Sequence, residues 1–278
     1  MNKIYNEKTK EITIHLVSDS TSETIGMAVA ATIAQFPTVK KKELVWPLIR
    51  TERQIKDILE NLKKNPGLVV LSLLDKGNKR MLELGCHELR IPFISPLDDL
   101  FKVFKDHTSL QQTKFVGGQH KLDDDYFLRI NALDYAMQHD DGQSIKTMND
   151  SDVILVGISR TSKTPTSIYL ANKGYKVANL PLIINTKVPK EFFNIKGPLI
   201  IGLLKDPKSL SHIRETRLKV MGEYKTSSYS DLDNIKQEHV QARDLFEKKN
   251  WPVIDVTRRS VEETAASIIK IINESKKQ

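Results

Sequence analysis

Cysteine is nearly absent from this chain, which holds Cys86 alone among 278 residues. One cysteine cannot form an internal disulfide or a zinc site built from several thiolates. The seven histidines include no pair at i, i+4 spacing and no HExxH motif, the pattern typical of catalytic zinc. We therefore predict no dedicated metal-ligand cluster, and we interpret Cys86 as a small residue on a helix face rather than a reactive thiol.

Long hydrophobic runs are also lacking. No uninterrupted apolar stretch approaches the roughly 20 residues that a helix needs to cross a bilayer. The first residues, MNKIYNEKTKE, are polar and contain no apolar segment of the kind found in secretory signals. The sequence therefore predicts a cytoplasmic protein with no membrane partner.

Aromatic residues make up only 6% of the chain, although its formal net charge is +8. Proteins that bind single-stranded nucleic acids combine basic side chains with aromatic ones that stack on the bases. Here the basic residues are spread along the sequence, and the one run of three, Lys40 to Lys42, is predicted to lie in a solvated loop. We expect no nucleic-acid partner, because this charge better suits phosphorylated ligands or an acidic protein.

What the sequence does contain is an alternation of apolar runs and helix-like segments. In the first part, the runs 11–18, 43–49 and 67–74 precede the helical patterns 22–36, 51–64 and 78–90. A second series of this kind starts at Asp152. Near-continuous apolar strands separated by helices are typical of parallel sheets covered on both faces. The sequence therefore predicts an α/β fold of two lobes, with largely parallel sheets flanked by helices.

The two series define the predicted domain organisation. We assign three segments: an N-terminal α/β lobe over 1–105, a helical connecting region over 106–150 and a C-terminal lobe over 151–278. The connecting region contains a helix whose apolar residues recur at helical spacing and are predicted to form its apolar face: Phe127, Ile130, Leu133 and either Ala136 or Met137.

One turn in the C-terminal lobe carries the strongest chemical signal. Residues 157–164 read Gly-Ile-Ser-Arg-Thr-Ser-Lys-Thr and match three of the four defined positions of the phosphate-binding pattern GxxxxGK[ST]. At the fourth position Ser162 replaces glycine. The turn lies between a predicted strand and a predicted helix, which is the context that phosphate binding requires. The alternative is a cluster of helix-capping hydroxyls with an incidental lysine.

In the phosphate-binding interpretation the C-terminal lobe carries a P-loop-like turn for a nucleotide. The candidate binding residues are the whole turn: Gly157, Ile158, Ser159, Arg160, Thr161, Ser162, Lys163 and Thr164. Lys163 is predicted to hold the β-phosphate, and Thr164 a phosphate or a metal ion. Arg160 is predicted to bind the transferring group or a second phosphate as a cation on the open side.

The same stretch resembles the signature of a known family. GISRTSKTPTSIYLANKGYKVANLPLI (157–183) is similar, nearly residue for residue, to the pyruvate, phosphate dikinase regulatory proteins, a family that includes the regulators of phosphoenolpyruvate synthase. Four further segments extend the resemblance over most of the chain: VSDSTSET (17–24), HKLDDDYFLRINALDYAMQHDDG (120–142), IGLLKDPKSLSHIRETRLKVMG (201–222) and PVIDVTRRSVEETA (252–265). In that family the sixth position of the turn need not be glycine.

The resemblance implies a bifunctional enzyme. One activity is an ADP-dependent serine/threonine kinase that inactivates the dikinase by phosphorylating a threonine near its catalytic histidine. The other is a phosphate-dependent phosphorylase that removes this phosphate, releases pyrophosphate and reactivates the dikinase. ADP is thus implied as the phosphoryl donor and inorganic phosphate as the co-substrate, and we expect Mg²⁺ to accompany them.

The turn also bears on the protein substrate. In the family, regulators of the synthase tend to have Cys-Gly before Lys-Thr, whereas regulators of the dikinase have Thr-Ser. This chain has Thr161-Ser162, which favours pyruvate, phosphate dikinase as the partner. The alternatives are the same activities on phosphoenolpyruvate synthase, a small-molecule kinase, or a non-catalytic nucleotide-sensing module. The sequence does not decide between a monomer and a homodimer.

Transfer to a threonine also calls for a base beside its hydroxyl. The candidates are carboxylates at the ends of strands or helices: Asp19, Asp140, Asp141 and Asp255. Asp19, just past the first strand, is the first choice, so the predicted catalytic residues are Lys163, Asp19 and Arg160. Each candidate carboxylate can equally be an ordinary turn or capping residue, and Asp255 also resembles a carboxylate that holds magnesium. His120 is a further candidate for binding phosphate.

Overall fold

The computed structural model describes residues 10–113, 115–118, 124–183, 186, 188–222 and 228–275. The chain divides into two compact units, residues 1–121 and 122–278. Each unit contains a four-stranded sheet in which all strand pairs are parallel. The predicted α/β fold, with two lobes of parallel strands flanked by helices, is confirmed. Within the described residues, none of the helices is long and apolar enough to span a membrane.

The N-terminal unit alternates strands and helices along the chain. Its elements are β1 Lys10–Ser18, α1 Glu23–Ile33, β2 Val39–Trp46, α2 Glu52–Lys64, β3 Leu68–Ser72, α3 Lys76–Glu88, β4 Phe93–Ile94 and α4 Asp98–Thr108. The strands lie in the order β2-β1-β3-β4. The central strands β1 and β3 are buried over most of their length, as a sheet covered on both faces requires.

Cys86 lies on α3 within the hydrophobic core of this unit. It packs in a cluster of buried residues that includes Ile55, Ile58 and Leu82. Cys86 is fully buried, and burial raises the pKa of its thiol to about 11. The thiolate is the reactive form of cysteine, so the environment of Cys86 suits packing and disfavours reactivity.

The Lys40–Lys42 run lies in β2 rather than in the predicted loop. β2 is an edge strand, and the three lysine residues are exposed. Lysines on an edge strand discourage its unpaired backbone groups from pairing with another chain. The prediction of a solvated run was correct, but the loop prediction was wrong because an edge strand can be as polar as a loop.

The C-terminal unit contains a second alternating series. Its elements are α5 Asp124–Gln138, β5 Val153–Ile158, α6 Lys163–Ala171, β6 Val177–Leu182, β7 Leu199–Leu204, α7 Pro207–Val220, α8 Leu232–Lys248, β8 Val253–Asp255 and α9 Val261–Ser275. Short 3-10 turns lie at Asp140–Gly142, Ile145–Asp150 and Lys190–Asn194. The strands lie in the order β6-β5-β7-β8, and all six residues of β5 are buried.

Helix α5 forms where it was predicted, but it buries only part of the predicted apolar face: Ala136 is buried and Leu133 packs beside it. Its buried residues are Ala132 and Ala136, which cluster with Ala171 of α6. Phe127 and Ile130, predicted for the apolar face, are exposed. Small side chains let two helix backbones approach closely, so the contact with α6 is made by the alanines with Leu133, and Phe127 and Ile130 stay outside it.

The order of the strands creates a crevice at one edge of the C-terminal sheet. The chain passes from β5 through α6 to β6 on one side, whereas β7 lies on the other side of β5. Because the strands are parallel, the turns after β5 and β7 meet at the same carboxyl edge. In open α/β sheets, a reversal of strand order at this edge is where ligands bind. The fold thus brings the 159–162 turn beside Lys205, the residue that follows β7.

Candidate functional site

The turn between β5 and α6 is closed by tight packing around Gly157. A Cβ atom on Gly157 would lie 2.7 Å from the carbonyl oxygen of Leu203 and 2.8 Å from Oγ1 of Thr161. Both distances are too short for any larger residue to fit without a shift of the backbone. Thr161 is fully buried and donates a hydrogen bond from its hydroxyl to the carbonyl of Ile158, at 2.9 Å. The turn is therefore held by its own residues and by the neighbouring strand.

Two residues of the turn have left-handed backbone conformations. Arg160 has φ = 70°, and Ser162, the residue before α6, has φ = 64° and ψ = 22°. Ser162 stands where the phosphate-binding pattern has glycine, and glycine adopts left-handed backbone angles without strain. For a residue with a Cβ, these angles raise the conformational energy by about 1–2 kcal/mol. Left-handed residues in a turn, followed by a helix N-terminus, turn successive N–H groups toward a common point and suit an anion.

Lys163 brings a buried cation into this turn. Its side chain is 5% exposed, and Nζ donates to the carbonyl oxygens of Gly157 at 2.9 Å and Ile158 at 3.0 Å. Burial lowers the pKa of Lys163 to about 8, while the carboxylates of Asp141 and Asp140 act in the opposite direction. The ammonium is therefore still the main form at neutral pH, although it is poorly solvated.

A cavity of about 330 Å³ opens onto the turn. Three cationic side chains line it, those of Arg160, Lys163 and Lys205, together with the carboxylate of Asp141. Its volume lies at the small end of the range for small-molecule sites, and its excess of positive charge suits an anionic ligand. The cavity thus combines a cationic lining with one carboxylate that could accept a proton.

Asp140 and Asp141 are held beside the turn by a residue of the neighbouring strand. Asn179, in the middle of β6, is buried and donates from Nδ2 to Oδ1 of Asp140. Its Oδ1 accepts from the backbone N–H of Asp141 at 3.0 Å. The hydroxyl of Thr164 also donates to Oδ1 of Asp140, at 2.9 Å. Asp140 is thus engaged within the network, whereas Asp141 is exposed and lines the cavity.

The other predicted residues belong to other elements of the chain. Asp19 belongs to the N-terminal unit, where it is buried and its Oδ2 accepts from the N–H of Leu74 at 2.6 Å. Asp255 ends the edge strand β8, and β7 separates that strand from β5. It accepts from the side chain and N–H of Thr257, which lowers its pKa, and it does not line the cavity beside Lys163. His120 lies outside the described residues.

Sequence reasoning missed two residues of the site, Asn179 and Lys205. Asn179 interrupts the apolar run VANLPL, and a buried polar residue in a central segment usually has a specific hydrogen-bond partner. Lys205 directly follows β7, so it points to the same carboxyl edge as the turn. Both signals were present in the sequence, but only strand order shows that β6 and β7 flank β5.

Comparison with known proteins places the chain in a family. The family model described as kinase/pyrophosphorylase matches residues 14–269. A protein from Caulobacter vibrioides is 46% identical over 260 residues, which cover 94% of this chain and 82% of the relative. One from Agrobacterium fabrum is 43% identical over 259 residues, covering 93% and 95%, respectively. Both relatives carry the name pyruvate, phosphate dikinase regulatory protein.

The match to the family model extends through both units, and its range includes the turn, the Asp140–Asp141 pair and Lys205. A third relative, from Erythrobacter litoralis, carries the same name and is 41% identical over 265 residues, 95% of each chain. Identity of this extent over nearly the whole length shows common descent and a shared fold. The chain belongs to the kinase/pyrophosphorylase family.

Proposed function

We propose that this chain is a bifunctional regulator of pyruvate, phosphate dikinase. In one direction it is an ADP-dependent serine/threonine kinase that inactivates the dikinase; in the other it is a phosphate-dependent, pyrophosphate-forming phosphorylase that reactivates it. The observation that carries the proposal is the cavity in which Lys163 and Asp141 face the same space at the carboxyl edge of the sheet. Family membership and the names of the relatives support the target.

In the kinase direction, the hydroxyl oxygen of the target threonine attacks the β-phosphorus of ADP. A new P–O bond forms, the bond from the β-phosphorus to the bridging oxygen breaks, and AMP leaves. Such transfers depend mainly on positioning and on neutralising the phosphoryl charge. Lys163, Arg160 and the N–H groups of the turn would supply that neutralisation, and a carboxylate would take the hydroxyl proton.

In the reverse direction, an oxygen of inorganic phosphate attacks the phosphorus of the phosphothreonine. Pyrophosphate forms, the bond to the threonine oxygen breaks, and that oxygen takes a proton. The leaving oxygen and the proton donor occupy the same places as the nucleophile and the base of the kinase direction. One phosphate-binding turn therefore serves both reactions, and inorganic phosphate competes with the β-phosphate of ADP for Lys163.

We assign the base role to Asp141, an alternative to Asp19. Asp141 lines the cavity with Lys163 and is exposed, so a threonine side chain entering the cavity could reach it. Asp140 is less suited because it already accepts hydrogen bonds from Thr164 and Asn179. Asp19 accepts a backbone hydrogen bond within the N-terminal unit, and its catalytic role stays a prediction.

Magnesium fits the same residues. Mg²⁺ prefers oxygen ligands and is usually bound through one or two carboxylates together with substrate phosphates. The Thr164 hydroxyl and the Asp140 carboxylate, 2.9 Å apart, are the oxygen donors that would hold it. When bound, the ion would supply further charge neutralisation for the phosphate groups.

The test is to mix the protein with dikinase phosphorylated on its catalytic histidine and with β-labelled ADP, and to follow the label into the dikinase. We expect label on a threonine, and a loss of about 10²–10³-fold with Lys163→Met. Lys173→Met removes an exposed lysine of the same unit and should transfer like the wild type. Asp141→Asn should lower kcat by about 10²–10⁴-fold.

Each other outcome points to a named alternative. Transfer to phosphoenolpyruvate synthase but not to the dikinase would contradict the choice of partner. Tight ADP binding without transfer to either protein would favour the non-catalytic sensing module. Loss of transfer with Asp19→Asn but not with Asp141→Asn would move the base to Asp19.

A further inference from the structure

Arg214 is the largest fully buried side chain of the described residues and lies behind the candidate site. It is on α7 and is 1% exposed. Nη1 donates to the carbonyl of Tyr229 at 2.9 Å and to Oε1 of Glu238 at 3.3 Å. Nη2 donates to Oε2 of Glu238 at 2.6 Å and to the carbonyl of Ser159 at 3.2 Å. These four bonds use all four hydrogens of the two terminal nitrogens.

Stability alone does not explain a charged pair at this position. Removing an arginine and a glutamate from water costs several kcal/mol each, and apolar residues of similar volume often replace such pairs with no loss of stability. A bidentate Arg–carboxylate pair does, however, fix the orientation of the guanidinium plane. Here Glu238 on α8 fixes Arg214, and Arg214 in turn presents a donor to Ser159.

The orientation of the Ser159 carbonyl determines the orientation of the next peptide N–H in the turn. It belongs to the peptide group that precedes Arg160, whose φ of 70° is unfavourable for a residue with a Cβ. In a trans peptide the carbonyl and the following N–H point in opposite directions. A hydrogen bond from Arg214 to the Ser159 carbonyl therefore also orients the N–H of Arg160.

Tyr229 makes a second connection to the same two residues. Its hydroxyl lies 2.9 Å from Oγ of Ser159 and accepts from Nε of Arg160 at 3.3 Å. The guanidinium carbon of Arg214 lies 4.6 Å from the centre of the Tyr229 ring, and Arg214 also binds the Tyr229 carbonyl. Arg214 thus reaches the Ser159–Arg160 segment directly through the backbone and indirectly through Tyr229.

We propose that Arg214 is a positioning residue, which with Glu238 and Tyr229 holds the Ser159–Arg160 segment in the orientation that binds phosphate. This proposal rests on the proposed function, in which the turn binds the β-phosphate of ADP and inorganic phosphate. Arg214 itself does not line the cavity, so it acts through the turn and not by contact with the phosphate.

The test uses a double variant, Arg214→Met with Glu238→Leu, which removes both charges and leaves neither buried without a partner. We expect it to fold with a thermal midpoint close to that of the wild type. Its KM for phosphate and its Kd for ADP should each rise about 10-fold or more, the loss expected for a hydrogen bond from a charged donor. Tyr229→Phe alone should also raise the KM and the Kd. Added to the double variant, it should raise them by a smaller factor than it does in the wild type, because the three residues act through one network.

The matched control is Arg217→Met, which removes the same charge from an exposed position on the same helix. It should leave the KM and Kd unchanged; an equal rise there would mean that net charge and not position is responsible. A folded double variant with wild-type KM and Kd would overturn the proposal, as would a loss confined to kcat.

Calorimetric binding of ADP separates this proposal from the function on which it rests. Wild-type protein that binds ADP but transfers no phosphoryl group would contradict the proposed function and leave the Kd comparison intact. Wild-type protein that transfers, with a double variant of unchanged affinity, would contradict the positioning role alone. Wild-type protein that binds neither ADP nor phosphate would contradict both.

Discussion

Lys163 is the residue at which stability and function oppose each other. Burial lowers its pKa to about 8 from an ordinary value of 10.5, so the folded protein holds this proton less tightly than the unfolded chain does. Between these two pH values the unfolded state binds more protons, and stability must increase as the pH rises. At neutral pH the buried ammonium of Lys163 destabilises the folded protein, because it has lost its water. A bound phosphate would provide the negative charge that this ammonium lacks.

We therefore expect the free energy of unfolding to increase between pH 8 and pH 10.5 by up to about 3 kcal/mol from this residue alone. Lys163→Met should lack that increase and be more stable than the wild type at pH 7. Urea unfolding of both proteins across this pH range measures the difference in their free energies of unfolding. The contributions of the other lysines and tyrosines are the same in both proteins and cancel. Parallel curves for the two proteins would contradict the assignment.

Some single residues of the candidate site can be picked out by a local pattern. The 157–164 turn was recognised from its spacing, and the structure shows why Ser162 is the unusual position, since its φ of 64° is one that glycine reaches freely. Asn179 and Arg214 were not predicted because their roles depend on partners 38 and 55 residues away along the chain. No local pattern contains such a pairing.

At the scale of elements, the β5–α6 turn depends on its fit against β7. Gly157 has ordinary backbone angles, so it is needed for space: a methyl group would contact the Leu203 carbonyl at 2.7 Å and the Thr161 hydroxyl at 2.8 Å. The first partner is the backbone of a central strand, which cannot move cheaply. The turn would have to shift instead, and with it the turn residues that line the cavity.

Gly157→Ala should therefore reduce phosphate-dependent transfer by at least about 10²-fold, since displacement of a phosphate cradle by an ångström has effects of this size. Gly26→Ala is the control, because its new Cβ would make only an ordinary 3.7 Å contact with Leu16. Steady-state kinetics in the phosphate direction measures both. Wild-type kinetics in Gly157→Ala would show that the turn tolerates the shift.

Element types were largely predictable, but the faces they bury were not. The strands β1 to β3 and the helices α1 to α3 lie within about four residues of the predicted runs and helical patterns, because apolar runs and helical spacing are local properties. For α5, spacing predicted Ala136 and Leu133 correctly, but it also favoured Phe127 and Ile130, which are exposed, and it missed the buried Ala132. Which face is buried depends on the shape of the neighbour.

For the molecule as a whole, each unit has its own hydrophobic core and its own tryptophan. Trp46 packs at the core of the N-terminal unit, and Trp251 contacts Phe192 and Phe246 in the C-terminal unit. Fluorescence of single-tryptophan variants can therefore report the unfolding of each unit separately. A ligand that binds only one unit stabilises that unit by mass action.

We expect ADP at about 100 times its Kd to stabilise the C-terminal unit by about 2.7 kcal/mol. In Trp46→Phe, where Trp251 reports, this should raise the thermal midpoint by about 5–10 °C. In Trp251→Phe, where Trp46 reports, we expect a smaller shift. An equal shift in both variants would show that the units unfold as one, and no shift in either would contradict ADP binding at the turn.

The sequence by itself determined the α/β class, the two alternating series, the phosphate-binding pattern of the turn and the family resemblance, because all of these depend on residues close together in the chain. Only the tertiary structure decided that β6 and β7 flank β5, that Asp141 and Lys205 line the cavity of Lys163, and that Asp255 does not. It also placed Arg214 behind the turn. The physical reason is that a site at the edge of a parallel sheet is assembled from loops whose neighbours are set by strand order, which local patterns do not encode.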